Sequence, residues 1–90
     1  MAVGIYLAQE GFTTEIYDST LKELEAAAPA PKGRSLHVAL ETDGAIQVFD
    51  IWDSLADFEA FGETLMPILA KAGLELGAPM VANVHNTIKG

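Results

Sequence analysis

Asp43-Gly44 lies between two runs of alternating apolar and polar residues, and no other dipeptide in the chain restricts the fold as much. A type I′ turn needs positive φ at both central residues, which Asp-Gly tolerates, so the pair closes a β-hairpin. Its strands cover 35–42 and 45–52. With a two-residue loop the register can be counted outward. Thr42 faces Ala45, Glu41 faces Ile46, Ala39 faces Val48, His37 faces Asp50 and Ser35 faces Trp52. A three-residue loop with a bulge would instead pair His37 with Phe49 and turn Asp50 towards the helices.

The flanking segments supply the other elements. Residues 2–8 alternate, with Val3, Ile5 and Leu7 on one side, which predicts a strand that Gly11 breaks. Thr13 or Thr14 can cap a helix whose apolar face is Tyr17, Leu21, Leu24 and Ala28, and Pro29 and Pro31 end it. Ser54 caps a second helix with Phe58, Phe61, Leu65, Ile68, Leu69 and Ala72 on its apolar face. Pro67 removes a backbone donor, so a kink or break is expected between 62 and 67, and Gly73 marks the helix end. A last strand is expected from Met80 to Ile88.

The order β-α-β-β-α-β is that of an α+β, ferredoxin-like split βαβ domain spanning residues 1–90, with antiparallel strand order 4-1-3-2 and both helices on one face. The helices are expected to cover Val3, Ile5, Leu7, Leu36, Val38 and Leu40. That leaves Tyr6, Ile46, Val48 and Trp52 on the open face beside His37 and Asp50. A monomer exposing so much apolar surface calls for a cover, and two sheets packed face to face provide it. Half the residues being apolar points the same way, towards a homodimer.

The formal charge of −8, from 13 acidic and 5 basic residues, disfavours nucleic acid and anionic membranes as partners. There is no cysteine, hence no disulfide or thiolate metal site. Met-Ala-Val-Gly-Ile-Tyr lacks the basic start and apolar run of a signal peptide, no stretch is long enough to span a bilayer, and a cytoplasmic location is expected.

The segment from Ser35 to Pro67 carries a resemblance. A His-containing strand, a hairpin, Val-Phe-Asp-Ile-Trp-Asp-Ser, Phe58-Glu59-Ala60-Phe61 and a Met-Pro-Ile-Leu helix resemble small uncharacterised members of the dimeric α+β barrel superfamily. That superfamily includes the antibiotic biosynthesis monooxygenases. The resemblance implies a homodimer in which two four-stranded sheets close a barrel. It leaves the chemistry open, because cofactor-free oxygenases, isomerases and proteins without known activity share the fold. The haem-degrading branch is least similar, since neither helix here contains a His.

Tyr6, His37 and Asp50 form the candidate catalytic set. A carboxylate beside an imidazole fixes its tautomer, and such a His can act as general acid or base near neutral pH. His85, Asn83, Trp52 and Met66 are candidate ligand-binding residues. GxGxxG, P-loop and HExxH motifs are absent, and two distant histidines make a poor metal set, so no cofactor or metal is expected. Three functions compete. The first is an enzyme in which His37 and Asp50 move a proton on a small aromatic or polyketide-like compound, as a cofactor-free monooxygenase or an isomerase would. The second is a dimerisation or binding module with a structural His-Asp pair. The third is a carrier that uses the pocket without chemistry.

Overall fold

The structure is a computed structural model that describes residues 1–74 and 77–90. Along the chain lie β1 (Val3–Thr13), α1 (Thr14–Ala27), β2 (Arg34–Thr42), β3 (Ala45–Trp52), α2 (Leu55–Lys71) and β4 (Met80–Asn83). The sheet is antiparallel throughout, in the order β2-β3-β1-β4. This is the expected 4-1-3-2 order read from the other edge, with the ferredoxin-like βαββαβ topology.

The hairpin closes as its sequence requires. Asp43 and Gly44 have φ of 52° and 83°, and the Glu41 carboxylate accepts from the Gly44 amide at 2.7 Å. Thr42 faces Ala45, Glu41 faces Ile46, Ala39 faces Val48 and His37 faces Asp50. The count fails only at the far end. Ser35 bulges out, so that Arg34 rather than Ser35 opposes Trp52, and the Ser35 hydroxyl donates to the Ile51 carbonyl at 3.2 Å. A bulge reverses the alternation beyond it, and Arg34 therefore joins His37 on the helix side.

The helix side itself is a correction. Trp52, His37, Asp50, Val48 and Ile46 lie under the helices, whereas Leu36 and Leu40 point to the open face with Tyr6, Phe49 and Ile51. Both faces of the hairpin are apolar, so alternation alone does not choose between them. Bulk and pairing do. Trp52 pairs with Val3 in the neighbouring strand, shares its face, and needs the depth of the helix layer. It is wholly buried against Phe58 and Phe61, with ring centroids 5.7 and 5.2 Å away. Val3, Ile5, Trp52 and Phe58 make one core cluster; Phe12, Ile46, Leu69 and Leu74 make a second.

Three boundaries differ from expectation. β1 continues past Gly11, whose φ of 84° accommodates an irregular stretch between Ala8 and Thr13 instead of ending the strand. This delivers Phe12 to the core and makes Thr13 the N-cap of α1, its hydroxyl accepting from the Ile16 amide. α2 runs unbroken through Pro67. Pro67 and Glu63 are both exposed, so the carbonyl that loses its partner faces water. The helix ends in a Schellman motif at Gly73, with Leu74 N donating to the Leu69 carbonyl at 2.9 Å. β4 is shorter than expected. In its register with β1 residue 85 would already face Met1, so the residues beyond find no partner in that strand.

Candidate functional site

Four polar side chains link up beneath α1. The Asp50 carboxylate can only accept, so His37 Nδ1 carries the hydrogen of their 2.6 Å contact. Trp52 Nε1 donates to the other Asp50 oxygen at 3.3 Å. In the neutral imidazole Nε2 then presents a lone pair, and the Tyr17 hydroxyl donates to it at 2.7 Å. The Tyr17 and His37 ring planes lie 4° apart. Asp50 is 7% exposed, so both its oxygens must be engaged by the protein, and they are.

Each position has a local cause. His37 and Asp50 are cross-strand partners fixed by the turn. Trp52, two residues beyond Asp50, shares its face by the period of the strand. Tyr17 lies in the first turns of α1, which Thr13 caps directly at the end of β1. Residues Ala30–Gly33 lead into Arg34, and a Cβ at Gly33, whose φ is 85°, would run into the Asp57 carboxylate.

The Tyr17–His37–Asp50 line borders a mostly apolar cavity of about 70 Å³ lying between the two core clusters. Ile5, Val48, Phe58 and Leu65 form much of its wall, and Thr20 and Arg34 contribute further polar groups. The volume holds roughly five water molecules, about the bulk of a single ring.

Burial pushes the Tyr17 hydroxyl above the ordinary tyrosine range; the Asp50 carboxylate adds to this, Arg34 opposes it, and Asp18 and Glu25 add smaller increments. A raised folded-state value means that the folded protein holds this proton more tightly than the unfolded chain. The corresponding stability is complete below about pH 10 and is lost as pH rises towards the folded-state value. Tyr17→Phe should therefore flatten part of the alkaline decline in a series of urea melts. An unchanged decline would show that Tyr17 is not held in this way.

The sequence-derived set divides across the sheet. His37 and Asp50 border the cavity. Tyr6 does not join them: it pairs with Phe49 on the open face. Tyr17, read as a core residue, stands in the position expected for Tyr6. The sign available in the sequence was a tyrosine in an otherwise aliphatic helix stripe, since a buried hydroxyl needs a partner. Trp52 is an anchor of the core and holds Asp50, and it does not line the cavity. Met66 is 55% exposed on the outside of α2. Asn83 and His85 border a separate groove of about 490 Å³ on the open face, with Tyr6, Phe49 and Met80. Among the described residues no three His, Asp or Glu side chains cluster as metal ligands, and no helix is long and apolar enough to cross a membrane.

No protein-family profile and no curated protein matches the chain. Solved structures do. A provisionally assigned antibiotic biosynthesis monooxygenase from Chloroflexus aurantiacus J-10-fl superposes with a TM-score of 0.68 at 16% identity, over 99% of this chain and 98% of the other. Rv0793 from Mycobacterium tuberculosis gives 0.65 at 15% identity, over 98% and 97%. NE2512 from Nitrosomonas europaea, a protein of unknown function, gives 0.60 at 21% identity, over 99% and 92%. At these identities the likeness is one of fold, and it extends over nearly the whole of each chain.

Proposed function

We propose that the protein is a homodimer, paired through the open faces of its sheets, that moves a proton on a small, mostly apolar compound held under the helices of each subunit. The observation that carries this reading is the unbroken hydrogen-bonded line Tyr17–His37–Asp50 along an apolar cavity. A proton taken up at the Tyr17 oxygen releases the tyrosine proton to His37 Nε2, and Asp50 holds the imidazolium that forms. The phenol stays neutral throughout, as its burial favours. The name given to the Chloroflexus protein suits one version of this chemistry. A carbanion formed from an activated CH₂ reacts with O₂ to give C=O and one water, with no cofactor.

Cyclohexanone is a small one-ring ketone with exchangeable α-protons. The wild type in D₂O should accelerate its deuterium uptake, followed by proton NMR, and His37→Gln should remove about 100-fold or more of that acceleration. Exchange at the buffer rate with the wild type would reject the reading.

The small cavity favours a second reading, because ligand pockets usually span about 300–1,000 Å³. On that reading the polar line only orders the core and the protein works by assembling. His37→Gln would then lower stability with no exchange activity to lose.

A further inference from the structure

Two polar groups at the cavity have no role in the proton path. Thr20 is 4% exposed, and its hydroxyl finds no hydrogen-bond partner among the described residues. It lies one helical turn after Tyr17 and borders the same space. A buried hydroxyl left alone is costly, and an occupant of the cavity can satisfy it. The other group is Arg34. Among the described residues its guanidinium has no carboxylate partner, although the chain carries 13 acidic side chains. Its Cζ lies 5.9 Å from the centre of the Phe61 ring, and it borders the cavity from the sheet side. A guanidinium at an apolar wall attracts negative charge far more strongly than one in water.

We propose that the cavity is built for a one-ring carbonyl or phenolic compound whose reacting form is an oxyanion, with Arg34 facing the charged oxygen and Thr20 Oγ1 bonding a second polar atom of the ligand. This rests on the proton-transfer reading and specifies its substrate class. The substrate gives up a proton from carbon or oxygen into the Tyr17–His37 line. For a carbon acid the C–H electron pair becomes the new C=C bond, the C=O π pair comes to rest on oxygen, and that oxygen meets Arg34. Return of the proton at the same or another carbon closes the cycle with no further reactant. Charge therefore appears on the ligand's oxygen and on the imidazole together, and each has an opposite charge waiting, Arg34 for the first and Asp50 for the second.

The probe is 4-nitrophenol, an enolate analogue whose ionised form is yellow, with 4-nitrotoluene as its uncharged counterpart. The wild type should bind nitrophenol as the anion, at least tenfold more tightly than nitrotoluene. Arg34→Gln should weaken nitrophenol binding tenfold or more and shift the bound probe to its colourless form, and Arg34→Lys should retain the yellow form. Thr20→Val, which keeps the side-chain shape, should weaken binding several-fold without changing the colour. Equal affinity for the two probes, or colour and affinity unchanged in Arg34→Gln, would overturn the proposal. Cyclohexanone exchange keeps the two ideas apart. Exchange with no preference for the anion removes the Arg34 site and leaves the His37 chemistry, while anion binding without exchange does the reverse.

Discussion

Trp52→Ala should lower the stability of the protein by about 3–5 kcal/mol, the largest loss expected from any single substitution here. Among the described residues the indole is the one large side chain with no exposure at all, and both aromatic residues of α2 pack on it. Truncation leaves a hole in the cluster that joins α2 to β1, and it takes from Asp50 one of its donors. In a chain of this size each kcal/mol shifts Tm by roughly 4–8 °C, so the midpoint should fall by roughly 12–40 °C at fixed protein concentration. Trp52→Phe separates the two contributions, since it keeps most of the packing and removes only the N–H donor. A fall of under about 5 °C for the alanine variant would mean that the cluster is not the keystone its burial suggests.

Phe49→Lys should weaken self-association by about a thousandfold or more while leaving the fold in place. Phe49 sits at the middle of the open face, opposite Tyr6, with its ring over the backbone of Gly4. Around it lie Leu36, Ile51 and Ala82, with Leu40 and Met80 exposed nearby. Facing sheets would bury this position, and an unpaired ammonium there forfeits several kcal/mol, well beyond what a rim substitution costs. The change moves the net charge from −8 towards neutrality, so general repulsion between subunits decreases and cannot explain a lost dimer. Sedimentation velocity at micromolar concentration should show a wild-type dimer and a variant monomer. A monomeric wild type, or a variant that still pairs, would rule out face-to-face assembly.

The sequence led to the topology and the His37–Asp50 pair because both depend on local signs: Asp43-Gly44 sets the register, and proline, glycine and cap residues punctuate the helices. The face on which that pair lies is a different kind of fact. It depends on how β3 aligns with β1, two strands with a helix and a strand between them, and the apolar residues of the hairpin fit either side. Leu36, Val38 and Leu40 look as well suited to a core as Ile46, Val48 and Trp52. The bulk of Trp52 and its pairing with Val3 decide between them. The error over Tyr6 follows from that. Tyr17 escaped notice for the opposite reason: its spacing on α1 explained it fully as core, and spacing carries no information about a hydroxyl.

The extra residue at Ser35 has a consequence for comparing this chain with its relatives. Alternation read straight through β2 would assign Arg34 to the open face of the sheet, with Leu36 and Leu40. In the folded strand it stands on the opposite side. A homologue lacking one residue here would therefore still aim its arginine under the helices, and a gap at this column should be treated as neutral. A homologue of full length but without the bulge would turn the same arginine outward. Tracing the lineage of the site thus requires the phase of the strand as well as the identity of the residue.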